Sequence, residues 1–259
     1  MEHSLLIQSL VAAIFVSISA SLLGSFVILK KMALVGDALS HVALPGLAFG
    51  LIFNFNPFIG AFLTLFIAVL GIWFLKYQTN LPIDTLVGIF FTASLAIGVL
   101  LIPEHDLLEA MFGNIASLTI QETNVLILLS IFIIVLILTI HKKLAINMLS
   151  EELAHSANIN NKKLEFLYLF IFALAVAIGV RFVGALLMGA LVIIPAASSK
   201  NISRSLNSYM SWSVIFGIVS AVIGILFSFK FNMSPGPFII IAGAVLFIIS
   251  LFFRKLRHY

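Results

Sequence analysis

Long apolar runs parted by short polar breaks dominate the chain. Nine mostly apolar stretches lie at about 4–29, 33–53, 57–75, 83–103, 123–141, 164–180, 182–199, 209–229 and 236–253. Each approaches or exceeds the roughly 18 residues that a helix needs to cross bilayer hydrocarbon. Lipid offers backbone groups no partner, so apolar runs of this length predict helices rather than open strands. The expected fold is all-α, a polytopic membrane protein of eight or nine transmembrane helices. The seventh run differs from the rest. Arg181 and Gly184 barely part it from the sixth, and Pro195 interrupts it, so a broken or re-entrant helix is expected near 182–199. The first run lacks a preceding basic region and is expected to be a retained helix. With no sustained repeat, low-complexity tract or linker, 1–259 reads as a single integral-membrane domain.

The polar breaks carry the charge, and they carry it unevenly. Lys30, Lys31, Lys76, Lys142, Lys143, Lys162, Lys163, Lys200, Arg204, Arg254, Lys255 and Arg257 fall on one side, which is twelve of the fourteen Lys and Arg. Only Arg181 and Lys230 fall on the other. The positive-inside rule then predicts the N-terminus outside, the C-terminus in the cytoplasm and an odd number of spans. The outer side carries Glu104, His105, Asp106, Glu109 and Glu122, either a solvated loop or an acidic cluster that attracts cations.

Composition closes off other classes. With 62% hydrophobic and 9% charged residues, a soluble 259-residue domain is excluded and membrane lipid is a partner. The net charge of +4 lies at loop positions, so it gives no support to nucleic-acid binding. There are no cysteines, so a thiolate metal site, a disulfide framework and a redox dithiol are all excluded.

Against this background the segment GDALSHVALPG stands out, because it places Asp37 and His41 inside an apolar run. A central Asp costs about 2.5–3.5 kcal/mol on insertion scales, so an intramembrane charge is a functional hypothesis by default. At a spacing of four, both side chains share one helix face, where carboxylate and imidazole suit zinc, manganese or ferrous iron. The competing reading pairs the two residues with each other or across a helix interface. Pro45 removes a backbone donor and frees the carbonyl of His41 four residues back, which makes it a helix-break candidate together with Pro195. Asp84 is expected to be a helix cap or interfacial charge rather than a ligand. His3, His141, His155 and His258 are expected at solvated ends, and His105 as a site of cation capture.

Energy must come from another chain, since no G-x-x-x-x-G-K-[ST] phosphate loop is present. The chain is therefore not expected to be an enzyme. The segment KKLAINMLSEELAHSANINNKK places Leu144, Met148, Leu149, Leu153 and Ala157 at helical spacing, as in an amphipathic docking helix or one resting on headgroups. Ser150 followed by Glu151 and Glu152 has the form of a helix start, with a capping hydroxyl and acids in the first turn.

Six blocks in this order resemble the permease subunit of the zinc and manganese ABC importer family: KKMALVGDALSHVALPGLAFG at 30–50, NPFIGAF at 56–62, PIDTLVGIFF at 82–91, MFGNIASLT at 111–119, RFVGALLMGALVIIPAAS at 181–198 and SPGPFIIIAGAV at 234–245. The resemblance covers nearly the whole chain. It implies a homodimeric pore in the cell membrane, two cytoplasmic ATPase subunits and an extracytoplasmic metal-binding protein. No cofactor is held permanently, and the transported ion is a divalent metal, zinc first, with manganese or iron next. The family's GDAxSH block falls on Asp37 and His41. Its coupling segment falls on about 144–160, with Ser150, Glu151, Glu152, Leu153, Ala154 and His155 facing the ATPase, although the start departs from the acidic-proline form. The implied mechanism is ATP-driven alternating access. A proton-coupled secondary transporter, with Asp37 and His41 as its relay, is the alternative. An intramembrane metallohydrolase lacks an H-E-x-x-H pattern and a second buried acid.

Overall fold

A computed structural model describes residues 2–79, 81–101, 119–231 and 233–256, and among these residues there is no strand. In chain order the helices are α1 (Glu2–Leu29), α2 (Ala33–Val42), α3 (Leu44–Ile52), α4 (Pro57–Thr79), α5 (Ile83–Leu101), α6 (Ile120–Leu149), α7 (Glu151–Ser156), α8 (Asn161–Val183), α9 (Ala185–Ile202), α10 (Leu206–Phe231) and α11 (Pro235–Leu256). Eight helical stretches among the described residues are long and apolar enough to cross a membrane, with α2 and α3 counted together as Ala33–Ile52. The remaining apolar run, the seventh, is α9, whose apolar part, Leu187–Ile202, is shorter.

The second and seventh runs are both interrupted, each for a local reason. The second ends its first helix at Val42 and starts the next at Leu44, with Pro45 in the new first turn. Proline has no N–H to give back, and it suits a helix start better than an interior. Near 182–199 the interruption falls at Gly184, whose φ of 95° and ψ of 161° turn α8 into α9 within one residue. A side chain is strained at that φ, which explains glycine there. Pro195 lies inside α9, which continues through it.

α8 is buried along almost its whole length, and α1 packs on α6, α9 and α10 around it. α5 and α11 leave most of their apolar surface outward, as lipid-facing helices do. Small residues set the closest approaches. A Cβ on Gly46 would lie 2.1 Å from the carbonyl oxygen of Gly60, which locks α3 on α4. A Cβ on Gly189 would lie 2.7 Å from Cα of Asp37, so α9 meets α2 backbone to backbone.

Charged pairs mark the two ends of the bundle. Lys76 forms an ion pair with Glu165, and the Tyr77 hydroxyl donates to Glu165 Oε2 at 2.7 Å. Lys30 Nζ lies 4.6 Å from the Tyr168 ring centroid, and the Trp73 indole donates to the Lys162 carbonyl at 3.1 Å. Three of the basic breaks thus meet at one end. Burial pushes the Lys30 amine below its ordinary value and Lys76 adds to the shift, while Glu165 opposes it. At the other end Arg181 donates to Glu122 Oε1 at 3.1 Å.

Candidate metal site

α2 places Asp37 and His41 on one face, one turn apart, as their spacing requires. His41 is only 8% exposed, and its Nδ1 is buried with no hydrogen-bond partner. Its ring centroid lies 5.4 Å from that of Phe91 on α5. An orphan ring nitrogen in an apolar setting is costly, and a passing cation would satisfy it. The Ser40 hydroxyl donates to the backbone carbonyl of Asp37 at 2.6 Å, which leaves the Asp37 carboxylate to other partners.

Asp37 lines a cavity of about 360 Å³ between α2 and α5. Asp37 and Ala38 line it from α2, Asp84, Gly88 and Phe91 line it from α5, and Lys31 borders it. Asp84 sits in the first turn of α5, as a cap or interfacial charge would. The structure adds that it shares a cavity with Asp37. Spacing along the chain gives no sign of this, because the two acids come from different helices. Among the described residues no three His, Asp or Glu side chains converge as a complete metal shell.

The segment at 144–160 is two helices with a corner between them. Leu144 is buried at the end of α6 and Met148 packs on the core, whereas Leu149 is 80% exposed. At the corner the Ser150 hydroxyl accepts from the N–H groups of Glu152 and Leu153, at 3.1 and 3.3 Å, and so caps α7 as its sequence context predicts. On α7 Ala154 is fully buried, Leu153 is 56% exposed and His155 faces outward. Asn158, with φ 55°, turns the chain back, and Asn160 caps α8 through the Lys163 N–H. His141 is half-buried rather than fully solvated, with Nδ1 at 2.6 Å from the Leu138 carbonyl. Glu104, His105, Asp106, Glu109 and His258 lie outside the described residues, as does the side chain of His3.

The model of the ABC 3 transport family matches residues 2–254. The chain belongs to that family. Two relatives are similar over nearly all of both chains. One is the high-affinity zinc uptake system membrane protein ZnuB of Haemophilus influenzae, 35% identical over 97% of this chain and 98% of its own. The other is the manganese transport system membrane protein MntC of Listeria monocytogenes, 32% identical over 98% of this chain and 92% of its own. A solved structure, PsaBC from Streptococcus pneumoniae in complex with Fab, matches with a TM-score of 0.83 and 31% identity, over 96% of this chain and 94% of that one. The chain is therefore a multi-pass permease of an ABC transporter in the cell membrane, working with ATPase and substrate-binding partners. It is not itself an enzyme, because ATP is hydrolysed on a separate subunit.

Proposed function

We propose that this permease imports a divalent transition metal, zinc first with manganese or ferrous iron next, and that Asp37 and His41 are the donors the ion meets in transit. The observation that carries this reading is the buried, unpartnered Nδ1 of His41 one turn from Asp37, beside a cavity that Asp37 lines. The similar proteins named for zinc and for manganese support the substrate class. Two donors of the oxygen and nitrogen type bind all three metals and hold none as tightly as a full shell with thiolates does. Such a site suits passage rather than storage.

The chain works as one integral domain over 1–259, in which α9 runs from the Arg181 end to Lys200 and adds a ninth crossing to the eight longer ones, so that the N-terminus lies outside and the C-terminus in the cytoplasm. Two copies form the pore. Leu149 and Leu153 present exposed apolar surface on either side of the Ser150 corner. The cytoplasmic ATPase docks there, against Ser150, Glu151, Glu152, Leu153, Ala154 and His155, and its closure switches the pore between outward and inward states.

The test is metal uptake into proteoliposomes holding this chain, its ATPase and the binding protein, with zinc and manganese competing. ATP-dependent uptake that Asp37→Asn abolishes is the expected result. Undiminished uptake by Asp37→Asn sinks the site assignment, and uptake that follows a proton gradient without ATP replaces the mechanism with the secondary transporter.

A further inference from the structure

Asp84 reads in the sequence as a charge at a helix start, and the fold places it elsewhere in the chemistry. Residues 84, 87, 88 and 91 recur on one face of α5, and all four line the cavity that Asp37 lines from α2. A first-turn acid gains from the helix dipole whichever way it points, so the dipole does not account for this direction. A second pointer to a ligand lies behind the cavity wall, one turn along α2 from Asp37. His41 is 8% exposed, its Nδ1 has no partner, and its ring rests against Phe91 of the cavity wall. Beside Asp84, Gly88 keeps the space clear, since a Cβ there would meet nothing within 4 Å. Lys31 borders the cavity at the end of the bundle where Lys30, Lys76 and Glu165 gather.

We propose that Asp84 is a second acidic station on the route of the divalent metal, one that takes the ion from Asp37 and His41 through the cavity between α2 and α5. The inference rests on the reading of Asp37 and His41 as the transit site. A lone carboxylate binds a divalent ion weakly, and the neighbouring Lys31 charge disfavours a long stay, so the station speeds passage without trapping the ion. Its chemistry is hard oxygen, which accepts zinc, manganese or ferrous iron alike.

The experiment uses the complete transporter in proteoliposomes, with zinc and manganese uptake as one readout and equilibrium manganese binding as the other. Asp84→Asn is expected to lower the maximal uptake rate about tenfold, the scale on which losing one group that supports a bound metal is felt. Its manganese binding stays at the wild-type level, because Asp37 and His41 remain. Asp84→Glu restores uptake. Asp84→Asn combined with Thr85→Asp returns an acid to the first turn but off the cavity face, and uptake stays low. Gly88→Leu fills the cavity without touching a charge and lowers uptake as well. Recovery in the Thr85→Asp double variant overturns the proposal in favour of a helix-end charge, and wild-type uptake by Gly88→Leu overturns the cavity as the route. Wild-type uptake by Asp84→Asn, with Asp37→Asn inactive, overturns Asp84 alone and leaves the transit site standing. If Asp37→Asn itself transports normally, the transit-site reading fails and this inference falls with it.

Discussion

Two carboxylates sit in largely apolar surroundings of this protein, and their neighbours treat them in opposite ways. Glu165 is 8% exposed, yet Lys76 pairs with one oxygen and the Tyr77 hydroxyl donates to the other. Asp37 lies about 6 Å along α2 from Ala33 and lines a cavity, and among the described residues no hydrogen bond or ion pair holds its carboxylate. The first is a tie between α4 and α8. The second keeps lone pairs free beside an unpartnered imidazole, an arrangement that costs stability and that binding a cation repays. Satisfaction of the charge, rather than burial alone, separates the structural acid from the functional one.

The contrast breaks most readily at Asp37. Asp37→Asn is expected to cut ATP-dependent metal uptake about a hundredfold while leaving thermal stability unchanged or raised, as uptake assays and melting curves in detergent would show. His41→Ala acts in the same direction. The double variant should lose less than the sum of the singles, because both donors serve one ion.

Next in size is Gly189→Val, which drives a side chain into the Asp37 backbone and should destabilise the protein by about 3 kcal/mol with loss of uptake. A stable variant that still transports would mean that α9 does not hold the Asp37 face in place.

Glu165→Ala tests the other half of the comparison. It strands the Lys76 amine and the Tyr77 hydroxyl and should lower stability by about 2 kcal/mol, while the uptake of the molecules that remain folded stays close to wild type. A selective loss of transport would give Glu165 a function and erase the distinction.

The smallest effect concerns Lys30, whose amine burial holds below its ordinary value of 10.5. Between that lowered value and 10.5 the unfolded chain binds more protons than the folded one, so stability rises with pH across the window. Lys30→Met should flatten this alkaline rise relative to wild type in unfolding measured at several pH values.

Much of this could be read before any fold was known. Backbone groups in lipid must be satisfied within their own segment, so long apolar runs became helices at nearly the expected places. Asp37 and His41 share a face because a spacing of four is a local helical rule. Ser150 caps α7 for the same reason, since a hydroxyl reaches N–H groups two and three residues ahead. The basic breaks at Lys30, Lys76 and Lys162 gather at one end, as their charge pattern implied.

What the sequence determined by itself is therefore local: the spans, the residue types in them, the shared face of Asp37 and His41, and the capped corner at Ser150. The tertiary structure decided what those pieces meet. It placed the interruption of the seventh run at Gly184 rather than Pro195, because a single residue with positive φ can reverse a chain that proline only bends. It decided which apolar residues before the Ser150 corner are covered, drawing Leu144 into the core and leaving Leu149 out. It also brought Asp84 to the cavity of Asp37, since helix periodicity relates residues within one helix, whereas packing alone sets which faces of two helices adjoin.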